Sequence, residues 1–383
     1  LHHRLRMQVS ARLAEAGLPT RVTALLQAIS VADRSGFDHA LWILLQAFGV
    51  SHLVVISGLH IGMVAGLAYW LGGRVDRLRW IAGRHAERGQ AAPLLTLLAG
   101  TGYAMLAGFS VSTQRALFML ACFLLAAAGS RASGSWNALR WSLLLVLLVN
   151  PLAPLGSGFW LSFLAVAGLL WLGTADGASG GPASVLRTHL YMAVGMLPLA
   201  AWWFGAASLA SAMANLLMVP VVSLYVVPLT LLGVACNLAG LPLDTACWRL
   251  AALPLAPLVD AGQLLLDSGG QWLYRRLSVD LLALALGGIG VVLLAVRGSR
   301  GLRGAALLLL LPAVLPARAV RDLQDGLEVT VLDVGQGTAV LVLSGERALL
   351  YDTGGGDPLG NNLARSVVLP YLGYRGVDRL ETL

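Results

Sequence analysis

Between Ala40 and Leu315 the chain is a succession of apolar runs, several as long as a bilayer-spanning helix, parted by short clusters of charge. This pattern leaves little room for anything but a bundle of membrane helices, because hydrocarbon offers no partner to a backbone N–H or C=O and a helix satisfies both within itself. The runs cover His52 to Leu71, Pro93 to Gly108, Ala116 to Gly129, Leu139 to Val149, Phe159 to Leu172, Leu190 to Gly205, Leu209 to Leu238, Val279 to Val296 and Ala305 to Leu315. A further run, Leu250 to Leu266, is interrupted by Pro254, Pro257 and Asp260, and Pro220 and Pro228 fall inside Leu209 to Leu238. The predicted fold is therefore mainly α: a polytopic helical membrane domain of about eight to eleven spans, with broken or re-entrant helices. Composition agrees, since only 12% of the residues are charged against roughly 25% in a soluble domain.

Ala40 to Val50 is apolar but too short to span, and reads as a half-helix leading into the first span. The forty residues before it are mixed in polarity, and Leu18-Pro19-Thr20 marks a helix start. They form a predicted lead-in segment, residues 1–40, at the membrane surface. Arg74, Arg77, Arg79, Arg84 and Arg88, opposed only by Asp76 and Glu87, form a loop that the positive-inside rule assigns to the cytoplasm. Arg297, Arg300 and Arg303 mark a second such loop, after which one span carries everything beyond Arg318 to the outer side. Trp70, Trp136, Trp141, Trp171, Trp202 and Trp203 lie near run ends, where interfacial anchors belong.

After Asp325 the pattern changes. Leu327 to Leu332, Ala339 to Leu343 and Ala348 to Tyr351 read as strands, separated by glycine-rich turns at Asp333 to Gly337 and Gly354 to Gly356. The chain opens with Leu1, carries no secretory signal and ends in mid-pattern at Leu383, so it reads as a piece of a longer protein.

The net charge of +7 does not by itself point to nucleic acid, because membrane proteins gather Arg in cytoplasmic loops for topological reasons. All 26 basic residues are arginines, a composition from which no function follows. Cys122, Cys236 and Cys247 make no Cys-x-x-Cys or Cys/His pattern for zinc, and no GxxxxGK[ST] loop is present to hold a nucleotide.

Polar groups inside the apolar runs are the candidate functional residues, since each costs a few kcal/mol in a bilayer unless it faces protein or water. Ser51 to Met63, SHLVVISGLHIGM, holds the densest set. On a helix Ser57 and His60 share a face, and His52, eight before His60, falls near it. The resulting stripe either lines a pathway or binds a neighbouring helix. A catalytic Ser–His pairing there lacks an acid and a nucleophile turn. Arg115 opens an apolar run, where its guanidinium can meet a phosphate bidentately or snorkel to the headgroups. Asn215, before Pro220, can donate to a pathway or to backbone freed by the proline. Phe159, Trp160 and Phe163 offer either base stacking or packing.

Five pieces in order carry a resemblance: SHLVVISGLHIGM; STQRALFML from Ser112 to Leu120; NPLAPLGSGFWLSFLAVAGL from Asn150 to Leu169; NLLMVP from Asn215 to Pro220; and VTVLDVGQGTAVLV with LLYDTGG. Over nearly its whole length the chain resembles the ComEC-type DNA-uptake channels of transformable bacteria. The resemblance implies a competence-type transmembrane channel domain at 41–317 and the truncated start of a metallo-β-lactamase-like α/β domain at 327–383. It implies a multi-pass protein of the bacterial inner membrane, its C-terminal domain on the outer face, that passes single-stranded DNA to the cytoplasm during natural transformation. His52, Ser57, His60, Arg115 and Asn215 become the expected DNA pathway. The partners implied are single-stranded DNA, the lipid bilayer, a DNA receptor on the outer side, a cytoplasmic DNA-translocating motor and further copies of the chain.

In the metallo-β-lactamase superfamily a His-x-His-x-Asp-His cluster holds two metal ions; this chain contains no such cluster. No cofactor is expected in the chain itself, and a divalent metal belongs to the full-length C-terminal domain if anywhere. Asp333, Gly335, Gly337, Asp352 and Gly354 are expected to shape the turns of the β-rich part rather than to bind metal. Two other readings stay open: a membrane-anchored metal-dependent hydrolase or nuclease, and a small-solute permease.

Overall fold

The computed structural model describes residues 2–81, 90–128, 134–176, 181–208, 210–269, 274–276, 279–296, 300–315, 326–335, 337–345, 347–355, 364–377 and 379–381. Two compact units result, one of Leu1–His189 with Ala210–Gly270, the other of Leu190–Leu209 with Gln271–Leu383. The structure is mainly helical, with a small antiparallel sheet near the C-terminus.

The first unit opens with α1 (His2–Ala14), α2 (Thr20–Val31) and α3 (His39–Ala47). Gly17, at φ +69°, and Pro19 end one helix and begin the next, as a turn of this type requires. Asp38 caps α3, its Oδ1 accepting from the Leu41 N–H at 2.6 Å. Val9, Leu13, Leu26, Ile29 and Leu41 are buried in one core with Val226, Val227 and Trp248. Arg12 pairs with the buried Asp244 at 3.1 Å, and Asn237 donates to the same carboxylate at 3.0 Å. The N-terminal segment is thus tied by charge as well as by apolar packing to the helices around residues 222–255.

A 3₁₀ turn, Ser51–Leu53, then leads to α4 (Gly58–Ile81), α5 (Ala91–Leu106), α6 (Val111–Ala128), α7 (Ser135–Val149), α8 (Ser157–Asp176) and the first residues of α9 (Pro182–Phe204). The helix expected over His52 to Leu71 begins later and ends later. It runs on through Arg74, Arg77 and Arg79, because Arg is a good helix former, the Arg74 guanidinium lies 4.5 Å over the Trp70 ring, and Asp76 has work to do inside the helix. Its two carboxylate oxygens accept the Ala91 and Ala92 N–H groups at 3.1 Å each, capping α5 from the neighbouring helix. Arg84, Glu87 and Arg88 of the predicted loop lie outside the described residues.

The unit closes with α10 (Ser211–Pro220), α11 (Val227–Leu238) and α12 (Asp244–Asp267). Pro220 does not break its helix. A π turn at Val221–Val226 follows it and joins α10 to α11 without interruption, the Val227 N–H bonding the Val222 carbonyl five residues back. Pro254 and Pro257 lie likewise inside a continuous α12. By length and composition two helices suffice to cross a membrane, Ser211–Leu238 and Asp244–Asp267; the other apolar helices meeting the composition test are 10–17 residues long. Cys122, Cys236 and Cys247 are free.

In the second unit the remainder of α9 is joined by α13 (Leu281–Ala295) and α14 (Arg300–Leu310). Small residues set their approach: a β-carbon on Gly290 would lie 2.7 Å from the Ala306 carbonyl oxygen, and one on Gly287 3.0 Å from the Pro198 ring. Two short strands, β1 (Ala206–Ser208) and β2 (Tyr274–Arg276), pair antiparallel. The C-terminal part forms an antiparallel sheet, β3 (Leu327–Val331), β4 (Val340–Ser344) and β5 (Arg347–Tyr351), in that order, followed by α15 (Leu369–Tyr374). The alternation of each strand buries Leu341, Leu343, Ala348 and Leu350 against Val368 and Leu372. Arg297 and Arg318 lie outside the described residues.

Candidate functional site

Polar groups gather in the first unit where helices begin. Ser57 immediately precedes α4, and its backbone N–H donates to His60 Nδ1 at 3.4 Å. That bond leaves the imidazole proton on Nε2, which is fully buried and has no acceptor among the described residues. The Ser112 hydroxyl, in the first turn of α6, donates to the Ile56 carbonyl at 3.2 Å, and a β-carbon on Gly58 would sit 3.6 Å from that of Ala116. The openings of α4 and α6 therefore lie against each other.

Arg115, one residue before Ala116, turns toward α8. Its Nη2 donates to Ser162 Oγ at 3.3 Å and lies 2.9 Å from where a β-carbon on Gly158 would be. Only 8% of Arg115 is exposed, its Nε has no partner, and among the described residues no carboxylate pairs with it. Little of the side chain is thus displayed to a surrounding surface. Gly158 and Ser162, four apart on one face of α8, were not singled out from the sequence. The signal available was two small residues at helical spacing within an aromatic run.

The other expected pathway residues sit differently. His52 is exposed and belongs to the 3₁₀ turn, not to α4. The shared helical face of His52 and His60 is therefore corrected, because the helix starts only at Gly58 and the spacing rule applies within one helix. Asn215 engages another set of groups: its Nδ2 donates to Ser211 Oγ at 2.9 Å and to the Gly49 carbonyl at 3.4 Å, while its buried Oδ1 has no partner among the described residues. Phe159 and Phe163 are buried against each other, 4.9 Å between ring centroids with the rings tilted by 51°, in a core shared with Met119, Leu139 and Val146. Trp160 donates its Nε1–H to the Pro154 carbonyl at 2.8 Å.

In the second unit the two glycine turns interlock. The Gly354 N–H donates to the Thr338 carbonyl at 2.8 Å, and a β-carbon on Gly337 would lie 2.6 Å from the Gly355 nitrogen. Asp352, at φ +59°, accepts the Thr353 and Gly354 N–H groups on Oδ1, and Asp333 Oδ1 accepts from Gly335 at 3.1 Å. Both carboxylates are thus engaged in turn geometry. Among the described residues no three His, Cys, Asp or Glu side chains gather where they could hold a metal ion.

Taken together these features define a class: an apolar helical protein with buried, partly unsatisfied cationic and polar groups at its helix starts, followed by an antiparallel β part. The chain belongs to the Competence protein family, which matches residues 29–299. It is 37% identical over 371 residues to the competence protein ComA of Neisseria gonorrhoeae, covering 97% of this chain and 51% of that protein. It is 27% identical over 405 residues to recombination protein 2 of Haemophilus influenzae, covering 92% and 49%. To the ComE operon protein 3 of Bacillus subtilis it is 26% identical over 405 residues, covering 96% and 48%. The chain spans about half the length of the curated relatives it matches. No solved structure matches it.

Proposed function

We propose that the parent protein acts in natural competence as a multi-pass channel of the inner membrane that passes single-stranded DNA into the cytoplasm. Membership of the Competence family and the names of its relatives support the competence role. The observation that carries the channel reading is an inverted polarity in the first unit. Leu125, Leu148, Leu224 and Leu264 are 70–75% exposed, whereas Arg115 and His60 are buried with unsatisfied nitrogen atoms. A water-soluble protein disposes these groups the other way round; a protein in lipid puts leucine outside and keeps polar groups for an internal pathway.

On this reading the arginines that end α4 and open α14 lie in the cytoplasm, so the starts of α4, α6 and α8 face outward, where a strand is received. The C-terminal part then lies on the outer face. An outer DNA receptor hands over the strand, and a cytoplasmic motor supplies the energy. Association of several copies and a divalent metal in the full-length C-terminal domain complete the expectation.

The test is import of labelled transforming DNA into the cytoplasm of cells lacking the parent gene, with surface-bound DNA scored in parallel. Surface binding retained, import abolished and import restored by the full-length gene is the expected result. Undiminished import rejects the channel and returns the protein to the hydrolase or permease class.

A further inference from the structure

The start of each α-helix leaves N–H groups without an intrahelical acceptor and carries about half a positive charge. Proteins commonly offset this with Asp or Glu in the first turn, yet α4, α6 and α8 have none there. Instead a cation is added. The Arg115 guanidinium, near the start of α6, lies over the first turn of α8 at Gly158, so positive charge meets positive dipole in a buried place. An unpaired buried charge costs several kcal/mol, and the single hydrogen bond to Ser162 offsets little of that. Positive charge and helix-start donors therefore accumulate at one place, a setting whose electrostatics favours an anion.

We infer that the first turn of α8, with Arg115 of α6 lying over it, forms a binding site for one phosphodiester group of the imported strand. This inference rests on the DNA-import reading. Gly158 is half-buried, so the first turn of α8 is reachable by an approaching oxygen, while Arg115 donates one turn deeper, to Ser162. A phosphodiester carries one charge to match one guanidinium, and its two free oxygens suit the planar fork. A lipid headgroup fits less well, since Arg115 is enclosed by α6 and α8 rather than displayed among the exposed leucines.

The test uses the full-length parent protein and three variants: Arg115→Gln, Arg115→Lys and Gly158→Ala. The last keeps the charge but occupies the guanidinium's position, and only the flexible end of Arg115 has to move, so the fold survives it. Two quantities are read: DNA import in cells at matched protein level, and binding of oligodeoxythymidylate to the purified protein as a function of salt.

The expected results are import and affinity reduced about tenfold or more in Arg115→Gln, a salt slope lower by about 0.7 as one phosphate contact is lost, partial recovery in Arg115→Lys, and a loss in Gly158→Ala. Import and salt slope unchanged in Arg115→Gln and Gly158→Ala, while the unmodified parent imports DNA, overturn the inference and leave the channel reading standing. If the parent itself imports nothing, the channel reading falls and takes this site with it. Co-purified phospholipid lost from Arg115→Gln, with oligonucleotide binding unchanged, assigns the site to lipid and overturns it as well.

Discussion

At Gly72 helices α4 and α5 touch backbone to backbone: a β-carbon there would lie 2.4 Å from the Ala92 α-carbon and 2.9 Å from the Ala91 carbonyl oxygen. Neither neighbour can yield as a side-chain tip can, and Asp76, one turn on, holds the Ala91 and Ala92 N–H groups in place. Gly72→Ala is expected to cost about 1–3 kcal/mol through overpacking, read as a lowered thermal midpoint of the purified parent; an unchanged midpoint would mean that the two helices are not in contact there. In the sequence Gly72 falls just past the run that ends at Leu71 and carries no signal of its own, and its partner lies twenty residues on. His60 was legible in part. The spacing of Ser57 and His60 brought them together, whereas the grouping with His52 failed because the spacing was applied across a helix start.

Among the elements, the hydrophobic alternation of β3 to β5 read directly as strands, and the structure returns them within a residue. What the alternation did not disclose is how β3 is tied to α15. Arg375 donates from both terminal nitrogens to the two carboxylate oxygens of Glu328, and these hydrogen bonds hold Glu328 below its ordinary carboxylate value. A carboxylate depressed in the folded state stabilises the fold above its unfolded pKa, about 4.3, and that contribution disappears as pH falls through the lower folded value. The C-terminal part is therefore expected to lose urea resistance on acidification below about pH 4, and Glu328→Gln to show a weaker pH dependence in that window, followed by near-ultraviolet circular dichroism. Equal acid dependence in both proteins would remove the pair from the balance. The prolines of α10 and α12 show the opposite case: proline marks a lost hydrogen bond in any sequence, but whether the helix breaks there or runs on depends on the helices packed around it.

For the whole molecule the channel reading proposed above has each of α5, α6, α7, α8, α9, the joined α10–α11, α12 and α13 cross once between the arginines that end α4 and those that open α14, an even number that would return the chain to the side it left. Reporter fusions placed after Ile81 and just before Arg300 are accordingly expected to report the cytoplasm, and one placed after Leu315 the outer side; opposite reports from the first two sites would mean that one of these helices does not cross. The length of the apolar runs and the strand alternation are local properties of the chain, and they sufficed to determine a mainly helical fold and the β-rich end. Only the tertiary structure decided that Arg115 lies beneath Gly158 and Ser162, that Asp76 caps another helix, and that Asp244 receives Arg12. Those contacts join residues from fifteen to more than two hundred positions apart, and such pairings arise from helices packing against one another, which no local spacing encodes.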